Sequence, residues 1–478
     1  MILQSVIFFD KICDKQEMFL RMSGNAYTDG KKVILTNGAE FSTNTYMNFF
    51  DSVFWREYTC VSTCRLTIQY KGIGSIEIGR FDEKGCHVAG RYNLDSNVPD
   101  KASYDIDLKE NVGNIYFRCT SGQELVIYSA CYSTEGDISC NTRLGIVFCT
   151  YNRLEDIKRN IDTILQSRFF DKQDELFEKI EIVVVDNGRT LTVPEHDHMD
   201  IIYNANTGGS GGFSRGIREM TKPEKNVTDI LLMDDDVTFM NETLYRLYAF
   251  LSLRKQQYSN DVVAGRMFRK DRPWVQYTAC EIWNGGDIKH IGHNCDMTVL
   301  ENIIGVNKHK GEYSGWWMCC FPKEFLLKNA PLPFFLHCDD VELGLRHKGT
   351  PVILNGVQVW HETYEYRQNA VVAYYDMRNM LFVNEIVGCT CPETELKNWK
   401  EKISNAHVNK DYKLEYMLIK AMNDYLRGMK WLCSVRPDKY HVRISKRKLF
   451  VRYENALFWR FVYHKYKKKF GIKDLCYK

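Results

Sequence analysis

Over residues 1 to about 140, hydrophobic positions come in short alternating or β-branched runs broken by turn residues. Lys32-Val33-Ile34-Leu35 runs into Thr36-Asn37-Gly38, and Cys64–Tyr70, Ser75–Ile78 and Asn114–Phe117 repeat the pattern. Runs of strand length, about ten residues apart and separated by Gly, Asn and Asp, predict an antiparallel β-sandwich. Its aromatic residues Tyr46, Phe49, Phe50, Phe54 and Trp55 suit a core, or alternatively a sugar-stacking surface. From Thr142 the rhythm changes. Leu144–Phe148, Ile180–Val185 and Ile230–Met233 are nearly continuous apolar runs, and the helical stretch Leu154–Ser167 lies between the first two. This is the pattern of buried parallel strands with helical crossovers, and it predicts an α/β nucleotide-binding domain. Beyond about Glu365 the chain turns helical, aromatic and basic. The expected divisions are therefore 1–140, 141–365 and 366–478.

At 478 residues the chain exceeds what a single core organises. With 44% hydrophobic and 26% charged residues it reads as folded rather than disordered. The net charge of +3 is uneven, because His441 to Lys478 holds twelve Lys/Arg against Glu454 and Asp474. With Phe450, Phe458, Trp459, Phe461 and Tyr463 among them, this tail suits either a solvated helix or a peripheral contact with anionic lipid. It lacks the interleaved stacking motifs of nucleic-acid binding. Met1–Phe9 is apolar but has no basic start, so it does not read as a signal peptide. No window approaches the roughly 18 apolar residues of a membrane span. The seventeen cysteines are scattered and odd in number, which favours reduced thiols and a cytoplasmic setting. Cys60/Cys64, Cys319/Cys320 and Cys389/Cys391 lack the second half of a zinc site.

The chemistry gathers where the predicted strands end. The run Ile230–Met233 stops in Asp234-Asp235-Asp236, which is either a solvated acidic turn or a cation site. Alternate residues of an extended segment share a face, so Asp234 and Asp236 would grip one Mg²⁺ or Mn²⁺ while Asp235 points elsewhere. The first strand ends in Thr150-Tyr151-Asn152-Arg153, which places a guanidinium at a helix start, where anions are favoured. Asp186-Asn187-Gly188 suits hydrogen bonds from a base or ribose, and suits an Asx turn equally well. In Asn204–Gly216, Gly208, Gly209, Gly211 and Gly212 permit close approach of a ligand, and Arg215 follows within reach of a pyrophosphate. The motif is neither a P-loop nor a dinucleotide turn, and a flexible surface loop is the plainer alternative. Asp339-Asp340 follows the aromatic run Pro333–Leu336; it is either a general-base site with a raised pKa or the acidic first turn of a helix. His361 closes the strand-like Ile353–Trp360, as a structural histidine or a further metal ligand. Trp316 and Trp317 offer flat faces for a sugar or lipid, or core bulk. The His290/His293 pair lacks a metalloprotease pattern.

Together, Asn206–Gly216, Asp234–Asp236, Trp316-Trp317, Pro331–Asp340, Trp360-His361 and the stretch Tyr46–Trp55 resemble inverting family 2 glycosyltransferases of GT-A fold. Within them the likeness is to the polymerising galactofuranosyltransferases of mycobacteria and their bacterial relatives. The family's second acidic motif usually carries Trp before its two acids, where this chain has Cys338. The C-terminal region is similar only through Tyr374-Tyr375 and Arg378-Asn379.

The resemblance implies an α/β GT-A domain with an N-terminal antiparallel sandwich and a mainly helical C-terminal region. It implies Mn²⁺ or Mg²⁺ on Asp234, Asp236 and His361, with Asp235 on the ribose or sugar and Asp340 as the base. Asp339, Trp316 and Trp317 would meet the acceptor, while Thr150, Arg153, Asp186 and the glycine loop with Arg215 would hold the donor. Partners would be a UDP-sugar, most plausibly UDP-galactofuranose, and a lipid-linked or growing cell-surface glycan at the inner membrane face. A homo-oligomer is compatible with this. Another nucleotide-sugar donor (glucose, galactose or rhamnose) fits the same fold, because specificity rests on a few pocket residues. A non-catalytic carbohydrate-binding protein would leave the four residues Asp234, Asp236, Asp340 and His361 without a purpose.

Overall fold

The computed structural model describes residues 1–136, 138–194, 196–363, 369–447 and 451–472. Phe450, part of the aromatic tail above, lies outside them, as does Glu365, where the helical region was expected to begin.

Seven N-terminal strands form one antiparallel sheet. Its order is Arg21–Thr28, Val33–Ser42, Asn114–Ser133, Thr63–Asp82, Gly85–Asp107, with Ile2–Ser5 and Phe50–Asp51 also paired to Asn114–Ser133. The runs Cys64–Tyr70 and Ser75–Ile78 read from sequence as two strands, but they belong to the single strand Thr63–Asp82. The glycines between them make a bulge rather than a turn. Register shifts beside Gly72, whose φ is 111° and where a Cβ would fall 2.1 Å from the Glu124 carbonyl oxygen. The backbone therefore bends and continues. Tyr46, Phe49, Phe50 and Trp55 are buried, with Phe50 stacked on Trp55 and Tyr132, so they serve the core rather than a sugar platform.

The central sheet has nine strands. Met199–Tyr203, Ile180–Asp186, Leu144–Thr150 and Asp229–Asp234 are parallel neighbours, the last three as the apolar runs predict. Cys319–Pro322 then pairs antiparallel with Asp229–Asp234, followed by Val263–Arg269, which also pairs in parallel with Val352–His361. One apolar cluster runs through both sheets. The join between them is polar as well: buried Arg246 donates to the carbonyls of Ser5 and Met47 at 3.1 and 2.9 Å.

Among the described residues, six helices from Ala370–Val387 to Arg452–Phe470 make the C-terminal region. Their core, around Trp399, Met422, Tyr425 and Tyr466, also takes in Phe334 and Phe335 of the loop before Asp339. In Arg452–Phe470, Phe458, Trp459 and Tyr463 pack against this core, whereas Tyr453, Leu457 and Phe461 stay exposed. Among the described residues, no helix is long and apolar enough to cross a membrane.

Candidate active site

Strand register brings the acids together. Asp229–Asp234 lies beside Leu144–Thr150 with Asp234 opposite Cys149, so the aspartates emerge at the carboxyl edge of the parallel strands. Val352–His361 reaches the same edge by pairing His361 with Arg269, and mutual backbone bonds between Thr238 and Trp360 fix its end. Ligand atoms of Asp234, Asp236 and His361 lie within 4.8 Å of one another. His361 Nε2 is 2.9 Å from Asp236 Oδ1 and 3.9 Å from Asp234 Oδ2. Its Nδ1 lies 2.6 Å from the Glu362 carbonyl, which can only accept, so Nδ1 carries a proton and Nε2 is the nitrogen that would present its lone pair to a bound cation. Two hard carboxylates and one imidazole converging on a point fit a Mn²⁺- or Mg²⁺-sized cation.

Asp235 is not among the three converging ligands and binds Arg153 Nη1 at 2.9 Å, while the same nitrogen reaches Asp236 Oδ2 at 2.7 Å. Burial raises the Asp235 carboxyl, opposed by Arg153. Arg153 is thus partly spent on neutralising the aspartates, although it still faces the cavity.

The glycine segment forms the start of helix Gly208–Met220 and does two jobs. Gly208, at φ 74°, passes so close to the acidic loop that a Cβ would fall 1.9 Å from the Phe335 carbonyl oxygen. At Gly212 a Cβ would fall 2.1 Å from Cys149 Sγ, and at Gly211 it would meet Thr207 at 2.4 Å. Only Gly208 and Gly209 of the four face the cavity. Gly212, expected to hold the donor, instead lets the helix press on the sheet, and Gly211 leaves room for Thr207 at the helix start. Gly212→Ala should therefore destabilise the fold by about 1–3 kcal/mol through overpacking, read as an earlier urea midpoint. An unchanged midpoint would mean the helix can shift away from Cys149.

Other expectations are corrected in the same way. Asp186 lies off the cavity, with Oδ1 accepting from the amides of Gly188 and Arg189 and Oδ2 from those of Thr190 and Leu191, at 2.6 to 2.9 Å. It is the Asx-type loop anchor. Arg215 pairs with Glu219 at 3.4 Å on the helix surface, away from the cavity. Trp317 is buried in the core, its Nε1 bonded to the Gly265 carbonyl at 2.8 Å. Trp316 lines the cavity edge-on to Phe213, with its indole N–H unpartnered, and Thr150 lines it too.

A cavity of about 760 Å³ connects the metal-ligand triad with Asp339 and Asp340. These two acids begin helix Asp339–His347, the acidic first turn that the sequence allowed. Burial raises Asp339 to about 6, and burial together with Asp339 and Glu281 raises Asp340 well above the usual carboxylate range. Several wall residues escaped sequence reasoning. Tyr277, Glu281, Trp283 and His290 come from the strand Val275–Thr278 and the hairpin of Cys280–Asn284 with Asp287–Ile291; Asp376, Lys402 and His441 come from the helical region. His290, set aside for want of a motif, sits 2.9 Å from Glu281. No local spacing marks these residues, because tertiary packing alone assembles them.

Comparison with known proteins follows the same division. Residues 16–135 match the family model "Galactofuranosyltransferase 2 N-terminal", and residues 145–308 match "Glycosyl transferase family 2". The galactofuranosyltransferase GlfT2 of Mycolicibacterium smegmatis is 25% identical over 447 residues, 83% of this chain and 65% of that protein. GlfT2 of Mycobacterium tuberculosis is 23% identical, with 85% and 69% covered. The chain thus spans about two thirds of the length of these relatives. Among solved structures, the mannosyltransferase PcManGT from Pyrobaculum calidifontis aligns with a TM-score of 0.32 at 10% identity, covering 71% of this chain and 92% of that one.

Proposed function

We propose, because residues 145–308 match the family model "Glycosyl transferase family 2", that this chain is an inverting galactofuranosyltransferase. It would move galactofuranose from UDP-galactofuranose to a hydroxyl of a lipid-linked or growing surface glycan. The observation that carries the reading is one cavity holding both the Asp234/Asp236/His361 triad and the raised Asp339–Asp340 pair. The likeness to GlfT2 supports the choice of donor.

Asp234, Asp236 and His361 would hold a divalent cation, Mn²⁺ or Mg²⁺, which supplies the positive charge that makes a diphosphate a good leaving group. Arg153 and the Gly208–Gly209 backbone, which line the cavity, would meet the diphosphate and nucleotide. Trp316, which lines the cavity with a buried N–H that has no protein partner, would border the acceptor. Asp340 takes the proton of the acceptor hydroxyl as that oxygen bonds to the anomeric carbon. The bond from that carbon to the diphosphate oxygen breaks on the opposite face, so configuration inverts and UDP leaves. A raised pKa makes Asp340 a stronger base than an ordinary carboxylate while it remains largely ionised on the alkaline side of the profile. Exposed Tyr453, Leu457 and Phe461 on a basic helix support residence at an anionic membrane face.

Transfer assays with a panel of UDP- and dTDP-sugars test the reading. Metal-dependent turnover greatest with UDP-galactofuranose is expected. Preference for another donor would correct the sugar, and no turnover with any donor would overturn the enzyme assignment.

A further inference from the structure

Phe335, His337 and Cys338 have φ values of 77°, 62° and 64°, three left-handed residues within four positions just before the acid pair. Side-chain-bearing residues rarely accept that conformation, and such strain persists where surrounding contacts over-determine it. Here the contacts come from helix Ala370–Val387, outside the family 2 segment. Asn379 Nδ2 donates to the carbonyls of Leu336 and His337 at 2.7 and 2.9 Å. Arg378 Nη2 donates to the Phe334 carbonyl at 2.6 Å, and its Nε donates to Asn379 Oδ1 at 2.9 Å. Both side chains are buried, and the guanidinium lies over the rings of Tyr374 and Tyr375 at 5.2 and 5.0 Å. From the same helix Asp376 holds His337 Nδ1 at 2.5 Å. On the opposite side the Phe335 amide donates to Ser210 Oγ of the glycine helix at 2.8 Å.

We propose that Asn379, braced by Arg378, is a positioning residue of the transfer reaction. By fixing the carbonyls of Phe334, Leu336 and His337 it sets the strained backbone that aims Asp340 at the acceptor hydroxyl. The inference rests on the reading of Asp340 as the base. Two adjacent carbonyls taking hydrogen bonds from one amide group leave that segment little rotational freedom, and Asp340 follows three residues after His337. The helical region thereby becomes part of the catalytic apparatus rather than an appendage.

Asn379→Asp is the sharpest test. It keeps the shape and the acceptor for Arg378 but sets a carboxylate oxygen against two carbonyls. With active sites counted by UDP titration in the presence of Mn²⁺, kcat for transfer should fall about 100-fold, the scale of a misplaced catalytic group, while donor KM and UDP affinity hold. Arg378→Lys should give the same split to a lesser degree, and Asn379→Ala replaces Asn379→Asp if the latter does not fold. Wild-type kcat per UDP site in the folded variants overturns the inference, as does a loss shared equally by UDP binding. A wild-type protein inactive with every donor would instead condemn the glycosyltransferase reading.

Discussion

Asp340→Asn is expected to abolish transfer, by about 10²–10⁴-fold for loss of a general base, while UDP affinity stays close to wild type. The reason lies in the geometry of the two acidic groups. Asp340 opens a helix across the cavity from the Asp234/Asp236/His361 triad and feels burial, Asp339 and Glu281 before it feels Asp234. The same crowding sets two further readouts. In the wild type the rate should rise with pH along an acid limb lying above the ordinary carboxylate range, because the base works only when ionised. Folding should respond in the opposite sense. A carboxyl raised in the fold favours the protonated form, so its contribution is intact below its unfolded pKa and lost as pH climbs through the folded one. For Asp339 that window runs from 3.8 to about 6. Removing the neighbouring charge in Asp340→Asn should therefore raise the urea midpoint at neutral pH while activity disappears. A collapse of UDP binding in this variant would move Asp340 into the metal site, and an acid limb near 4 would dismiss it as the base.

The parts legible in the sequence were those encoded by local spacing. Continuous apolar runs gave the parallel strands, because a strand covered on both faces has no polar side to show. Asp234 and Asp236 were legible as a pair because alternate residues of an extended segment share a face, whereas His361 joined them only through the family resemblance. The misreadings share a different cause. Gly211, Gly212 and Trp317 look like ligand contacts, yet each meets an interior demand for space or bulk that only the packed structure reveals. Asp186 carried two equal readings, and four backbone amides in the folded loop decide for the structural one. Asp376 carries no motif of its own, and Arg378-Asn379 entered the sequence reading only as a loose likeness, with no role attached. Their role depends on a loop about forty residues away in sequence.

The aspartate triplet yields the second large effect, and it separates neighbours that sequence cannot. Chelation of divalent ions should eliminate turnover, and Mn²⁺ or Mg²⁺ should restore it. Asp236→Asn should fail even with metal supplied, because Asp236 is the residue drawn closest to His361 Nε2, at 2.9 Å. Asp235→Asn is the control. Its carboxylate faces Arg153 rather than the ligand triad, so that variant should bind metal as the wild type does and lose activity only through a loosened Arg153. Thermal shift reads the difference without turnover. A cation at one hundred times its Kd stabilises the folded state by about 2.7 kcal/mol, so the wild type and Asp235→Asn should melt later with Mn²⁺ while Asp236→Asn should not. Turnover that survives chelation would remove the metal from the mechanism. Metal-induced stabilisation lost in Asp235→Asn but kept in Asp236→Asn would reverse the roles, and Arg153 would then be the partner that leaves when the cation arrives.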